Sequence, residues 1–555
     1  MLLIFFMIVS ARAEESLLTL DCGDISGTVS PTLHGPIHEF YHLPYALPPV
    51  GPRRWTHSKP ASGWEGVLDS TAGTWRDNPV KCVQAWDSGS PGGVAGQEDC
   101  LYLTVRTPNP AEKFPVLVWI HGGSLKTGHS EYPGYAPDAL FTADLGVVSV
   151  NINYRLGVFG FFSSPDIWEE EQGNRGNFGI GDALTALEWI RDNIAHFGGD
   201  PERVTILGES SGGTIVFGLL GSSKAAGLFH QAISLSGCPI WKATPELAHQ
   251  RRSNYTARAG CHQQSSDERR ECLKTAPVLD LIKARDLDRG WGFYDFPYSE
   301  GEKGESMDYA IIDGSIVETA PFDLHNVARL SKVRVVIGNT AQETGTNAID
   351  YNTNVVLTWK DAEILLLDKL TNLARLRTDL VLAPGPLLIK TEQAYGFKKD
   401  TNSWWPQIYF DTLTTDVRTT CINNKLVSSL NQHPDIEALR LYVRSRPDTS
   451  QNGVPWSSIH GWDTEALFNY GYYGPYFPDP TLVANLHQRR FRDVMRELVA
   501  RIVKGEEIEG WTGARSLVLE NEDFPGGVTV SEAAPQEEHC IMWEEHDMLQ
   551  FGWQN

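Results

Sequence analysis

The sequence predicts an α/β fold: a large, mostly parallel central sheet with helices on both faces. Three observations carry the prediction. Apolar strand-like runs alternate with segments of helical spacing through the middle of the chain. Phe114–Ile120 is a continuous apolar run, as in a strand buried on both faces, and Val147–Asn153 reads as a second such strand. In Val204–Leu220, an apolar run meets the glycine-flanked turn Gly208-Glu209-Ser210-Ser211-Gly212 and continues as a helix.

The chain has 555 residues, 41% hydrophobic and 10% aromatic, enough for a large core. Length alone suggests several domains, but large α/β enzymes break that prior. The expected organisation is one domain over residues 14–555, with a helical cap-like region at about 345–435. The net charge of −23 excludes nucleic acid as a partner, because a phosphate-binding face needs a basic surplus. It also opposes attraction to anionic membranes.

The N-terminus carries the apolar core Leu2–Val9, followed by Ala11-Arg12-Ala13. A small-x-small site after a short apolar run is the pattern of a secretory signal peptide, here residues 1–13. No later stretch is apolar and long enough to span a bilayer. A soluble, secreted, extracellular protein is expected.

The eight cysteines agree with an oxidising compartment: Cys22, Cys82, Cys100, Cys238, Cys261, Cys272, Cys421 and Cys540. None forms a C-x-x-C pair, so no metal site is expected from them. Bridges between Cys82 and Cys100, and between Cys261 and Cys272, would close short loops, although sequence leaves the connectivity open. Asn254-Tyr255-Thr256 is an N-glycosylation acceptor.

Taken in order, His42–Gly51 is proline-rich and therefore extended rather than helical. Leu101–Val105 alternates like a strand. The buried run Phe114–Ile120 ends in His121-Gly122-Gly123-Ser124, whose glycines leave backbone N–H groups accessible to an oxyanion. Asp182–His196 has helical apolar spacing at Leu184, Leu187, Ile190 and Ile194. Gln231–Gly237 and Val333–Gly338 are further strands, and the second is followed by Glu343. Leu439–Val443 is a late strand, and His460 follows it on a loop. In open α/β sheets, functional groups gather at the carboxyl ends of strands.

Ser210, Glu343 and His460 form a chemically complete set in that order. A serine hydroxyl attacks a carbonyl only when a base takes its proton, the part of His460. Glu343 would orient the imidazole and stabilise its cation. Nucleophile, acid, histidine is the chain order of the α/β-hydrolase fold.

The chain resembles the type-B carboxylesterase/cholinesterase family over nearly its whole mature length. The resemblance stands on Leu43-Pro44-Tyr45-Ala46, Glu98–Leu103, His121-Gly122-Gly123, Asn153–Gly157, Phe197–Pro201, Gly208–Gly212 and Ile459-His460-Gly461. It implies a Ser210–His460–Glu343 triad and an oxyanion hole made by the N–H groups of Gly123, Ser124 and Ser211. It further implies the disulfides Cys82–Cys100, Cys261–Cys272 and Cys421–Cys540, leaving Cys22 and Cys238 open. It places Trp241 at an acyl pocket and Glu209 near the polar network of the site; for each, a purely structural role is the alternative. It implies a small-molecule ester substrate and no cofactor, and members occur as monomers and as larger assemblies.

Four departures from the family pattern stand out. Ser124 replaces the third glycine of the oxyanion loop, Ala183 replaces a glutamine, and Thr344 replaces the glycine after the acid. The loop between Cys82 and Cys100 is shorter than in cholinesterases, and Trp86 on it is too close to Cys82 to match their choline-binding tryptophan. A secreted carboxylesterase is therefore expected rather than a true cholinesterase. The alternatives are a lipase with longer acyl chains, or a catalytically silent cholinesterase-like adhesion protein.

Overall fold

The computed structural model describes residues 14–76, 78–85, 93–169, 173–241, 243–251, 254–284, 310–326, 331–343, 358–364, 366–367, 384–395, 405–444, 458–468, 486–513, 515–519, 528–546 and 549. The signal-peptide stretch 1–13, Trp86, Thr344 and much of the cap-like region lie outside the described residues.

Fifteen strands are formed among the described residues. They are β1 (Glu14–Leu20), β2 (Gly23–Thr32), β3 (Gly35–Pro44), β4 (Val67–Asp69), β5 (Gln84–Ala85), β6 (Val94–Ala95), β7 (Tyr102–Thr107), β8 (Phe114–Ile120), β9 (Val148–Ile152), β10 (Gly199–Glu209), β11 (Gln231–Leu235), β12 (Val333–Thr340), β13 (Ile436–Val443), β14 (Ser516–Leu519) and β15 (Val528–Ser531). Thirteen make one sheet, ordered β1-β2-β3-β7-β9-β8-β10-β11-β12-β13-β14-β15 with β4 beside β2; β5 and β6 pair apart.

The sheet is parallel from β9 to β14. It turns antiparallel at both margins, β1-β2-β3-β7-β9 and β14-β15. Two-residue connections, Asp21-Cys22 and Leu33-His34, leave β1, β2 and β3 no choice but hairpins. The parallel centre matches the sequence expectation, and the antiparallel margins are what the structure adds.

Period-2 geometry explains why the central strands read as continuous apolar runs. Val116, Val118, Ile120, Val204 and Ile206 enter one hydrophobic cluster, and the alternating Leu117, Trp119 and Leu207 enter a second. Both faces are covered. The helix Phe178–Asn193 and the helix Ser211–Leu220 contribute to the first cluster, and Trp462–Phe468 and Leu486–Val503 to the second. Truncating a fully buried residue such as Ile206 to Ala costs roughly 2–5 kcal/mol at sites of this kind.

The described C-terminal part of the expected cap-like region is helical. The helix Trp405–Thr415 runs through a π-helical turn, Asp416–Thr420, into the helix Cys421–Leu430. Ile422, Leu426, Val427 and Leu430 are buried on this last helix, with Leu426, Val427 and Leu430 in the main core. It therefore packs against the sheet. A third cluster joins Tyr409, Phe410 and Val417 to Trp543 of the C-terminal helix Glu537–Glu545. Three disulfides form: Cys82–Cys100, Cys261–Cys272 and Cys421–Cys540. Cys22 and Cys238 take part in no disulfide. No helix among the described residues is long and apolar enough to cross a membrane.

Candidate active site

The strands β8, β10, β12 and β13 are parallel, so their carboxyl ends share one edge of the sheet. The candidate groups follow from these ends. Ser210 stands between β10 and the helix Ser211–Leu220, at φ 55° and ψ −124°. Such a conformation costs a non-glycine residue on the order of 1–3 kcal/mol and persists only when the surroundings impose it. Here they do. The Ser210 N–H donates to the Leu235 carbonyl at 2.8 Å, and the Thr214 N–H donates to the Ser210 carbonyl at 3.0 Å. The flanking glycines have no space for a side chain. A Cβ on Gly208 would stand 2.3 Å from the Gly212 carbonyl, and one on Gly212 would stand 2.1 Å from the Ile120 carbonyl oxygen.

The segment after β8 lies against this elbow. A Cβ on Gly122 would stand 3.0 Å from Ser210 Cβ and 2.7 Å from Glu209 Oε2. Gly123, Ser124 and Leu125 are three successive residues of positive φ, at 112°, 61° and 58°. The turn is closed by the N–H groups of Lys126 and Thr127, which donate to the Gly123 carbonyl at 3.0 and 2.9 Å. It is anchored by Leu125, fully buried, whose carbonyl accepts from the Gly157 N–H at 2.6 Å. Ser124 thus takes a conformation that favours glycine, without losing its N–H. Burial pushes the pKa of His121 down to about 4, so its ring brings no charge to the loop at neutral pH.

Glu343 and His460 are brought together by Gln342. Its N–H donates to the Ser458 carbonyl at 2.9 Å, and its Oε1 accepts from the Ser458 N–H at 2.9 Å. The next residues along, Glu343 and Ile459-His460, therefore sit side by side. His460 Nδ1 stands 2.5 Å from Glu343 Oε2. The other carboxylate oxygen of Glu343 accepts from Ser236 Oγ at 2.6 Å and from the Thr340 N–H at 2.7 Å. Burial works to raise the Glu343 pKa, but His460 and these donors outweigh it and hold the carboxyl below its ordinary value.

The resemblance places Glu209 near the polar network of the site, while the sequence does not single out Asp463 and Glu465. Glu209 is fully buried, with Oε1 3.2 Å from His460 Nε2. Asp463 and Glu465, just past His460, are buried too. Burial pushes Glu209 up to about 8, Asp463 to about 7 and Glu465 to about 8. Burial alone would lower the His460 pKa, but Glu209 and Glu343 outweigh it and lift it to about 9. Burial thus favours the neutral form of these carboxyls, and Glu209 and His460, each shifting the other, titrate as a coupled pair.

The remaining candidates sit as follows. Trp241 is buried in the main core, its ring 3.0 Å from a Cβ built on Gly218, with Nε1 donating to the Cys238 carbonyl at 2.9 Å. It packs on the elbow helix Ser211–Leu220. Asn254 is exposed beside the short helix Tyr255–Arg258, while Thr256 is buried and donates to Asp166 Oδ2 at 3.0 Å. Ala183 is fully buried. Ser236, at φ 53°, had a sequence signal in its place at the carboxyl end of a strand. No cluster of potential metal ligands occurs among the described residues.

The sequence model of the carboxylesterase family matches residues 14–505. The chain is 32% identical over 367 residues to the pyrethroid hydrolase Ces2e of Rattus norvegicus, covering 62% of this chain and 58% of that protein. It is 41% identical over 259 residues to the medium-chain fatty acyl-CoA hydrolase precursor of Anas platyrhynchos, covering 44% of each. It is 32% identical over 350 residues to the acetylcholinesterase of Bungarus fasciatus, covering 60% of this chain and 54% of that protein. The aligned stretches thus span less than two thirds of these relatives' length.

Proposed function

The chain belongs to the carboxylesterase family, and on that premise we propose that it is a secreted serine hydrolase cleaving small-molecule carboxylic esters through an acyl-enzyme. The observation that carries the reading is the contact of His460 Nδ1 with Glu343 Oε2 at 2.5 Å, on the same sheet edge as the strained elbow of Ser210.

In this reading, Glu343 holds the Nδ1 proton of His460, leaving Nε2 as the base for the Ser210 hydroxyl. Ser210 Oγ attacks the ester carbonyl, and the developing oxyanion accepts from the N–H groups of Gly123, Ser124 and Ser211. His460 then gives its proton to the departing alcohol, and Ser210 carries the acyl group. Water, deprotonated by the same imidazole, attacks the acyl carbonyl; the Ser210 Oγ–acyl bond breaks, the imidazolium returns its proton to Ser210 Oγ, and the acid is released. No cofactor is needed for these steps.

Relatives named as hydrolases support the reaction class. Uncharged esters are the proposed substrates in preference to choline esters, because the loop between Cys82 and Cys100 is short. The apolar run with Ala11-Arg12-Ala13, together with three disulfides, supports secretion. The test is a panel of nitrophenyl esters of rising acyl length, with thiocholine esters beside them, assayed with the wild type and Ser210→Ala. Hydrolysis that Ser210→Ala abolishes supports the reading; equal activity in the two proteins overturns it.

A further inference from the structure

Arg440 is 2% exposed in the middle of β13. Its guanidinium is held by neutral acceptors. Nε donates to Asn424 Oδ1 at 2.9 Å, Nη1 donates to the Ile337 carbonyl at 3.1 Å and to the Leu441 carbonyl, and Nη2 donates to Asn339 Oδ1. Among the described residues, no carboxylate stands within ion-pairing distance of it. A buried cation without a contacting anion is costly, and a Leu or Met would fill such a strand position more cheaply.

The groups around Arg440 lead to Glu343. Asn339 Oδ1 accepts from Arg440 and from Asn423 Nδ2 at 3.3 Å, which fixes the amide with its oxygen toward the cation. The amide nitrogen then donates to the Thr340 carbonyl at 2.8 Å and to Thr420 Oγ1 at 3.2 Å. Thr340 is the residue whose N–H holds Glu343 Oε1 at 2.7 Å. Three side-chain and main-chain links thus connect a buried cation to the carboxylate that touches His460.

We propose that Arg440 is a positioning residue for the hydrolase reaction: through Asn339 and Thr340 it fixes the turn that aims Glu343 at His460, and its charge favours the ionised carboxylate there. The inference rests on the Ser210–His460–Glu343 reading. Burial lowers the Arg440 pKa to about 10, while Tyr442, Glu343 and Asp416 oppose that fall, so the cation persists at neutral pH. The charged groups facing it are Glu343 beyond β12 and Asp416 of the π-helical turn, which lies 3.4 Å from His539 of the C-terminal helix. Arg418 lies on the same turn, and His460 lies beyond Glu343.

The full-length protein is assayed on a nitrophenyl ester as wild type, Arg440→Met, Arg440→Lys and Ser210→Ala. Arg440→Met matches the stem and lacks the charge. Its kcat should fall about tenfold with KM unchanged, the signature of a misplaced catalytic group rather than lost substrate binding. The acid limb of its kcat profile should move to higher pH, because the cation no longer opposes protonation of His460 and Glu343. Arg440→Lys should recover most of both. If Arg440→Met does not fold, Asn339→Leu cuts the same relay, and kcat loss at constant KM in that variant carries the same meaning. Unaltered kcat and pH profile in a folded Arg440→Met, or an Arg440→Lys as impaired as Arg440→Met, overturns the inference. An inactive Ser210→Ala beside an unimpaired Arg440→Met removes this inference alone; a fully active Ser210→Ala removes the hydrolase reading beneath it as well.

Discussion

The carboxyl of Glu209 lies 3.2 Å from Nε2 of His460, the ring nitrogen opposite the one held by Glu343. The imidazole is therefore bracketed by two acids of opposite tendency. Glu343, with three donors on its oxygens, favours its anion. Glu209, buried without such donors, favours its proton.

This bracket predicts the direction of a pH shift. Glu209 in its anionic form holds a proton on His460, and the base must be neutral to act. Glu209→Gln removes that anion, so the His460 pKa falls and the acid limb of kcat/KM moves to lower pH. The pH–rate profiles of wild type and Glu209→Gln check this. A limb that stays in place, or moves upward, contradicts the bracket.

Glu465 predicts a stability effect. Its pKa is raised on folding, to about 8, so the native state binds more protons than the unfolded chain between the ordinary carboxylate range and that value. Stability must fall as pH rises through this window. Glu465→Gln cannot ionise and should flatten the fall. At pH 8 the variant should exceed the wild type by on the order of 1–2 kcal/mol, with a smaller difference at pH 5. Urea midpoints at the two pH values read the effect, and an equal change at both would contradict it.

The elbow predicts a steric asymmetry between glycines. Gly212→Ala forces a methyl to 2.1 Å from the Ile120 carbonyl oxygen, where only backbone movement relieves the clash. It should destabilise by roughly 2–4 kcal/mol and abolish ester hydrolysis. Gly73→Ala, with open space at its Cβ, should stay within about 0.5 kcal/mol of wild type and keep full activity. Thermal melts and nitrophenyl acetate turnover compare the two.

Much of the frame was legible in the sequence, for reasons the structure makes physical. Val116 to Ile120 read as one apolar run because alternate residues enter different cores. Gly208 and Gly212 marked the elbow because no side chain fits at either. Glu343 and His460 stood out as chemistry-bearing residues after strands. Their adjacency was not legible, because it depends on Gln342 pairing with Ser458 across 116 residues. Ser236 was missed as a partner of Glu343 for the same reason, at a separation of 107. Arg440 and Tyr442 alternate with leucines, which reads as a solvent-facing side; the helix Cys421–Leu430 covers that side and reverses the inference. Asp463 and Glu465 read as ordinary acids in the first turn of a helix, and their burial beside Glu209 has no local signature.

The account turns on Ser210 as the atom that carries the acyl group. The most direct measurement is intact-protein and peptide mass spectrometry after treatment with a fluorophosphonate, an irreversible analogue of the acyl transfer. The account predicts a single adduct per chain on the peptide containing Ser210, loss of esterase activity in step with its formation, and no adduct in Ser210→Ala. An adduct on another residue that accompanies inactivation, or full esterase activity in a protein fully labelled at Ser210, would contradict it.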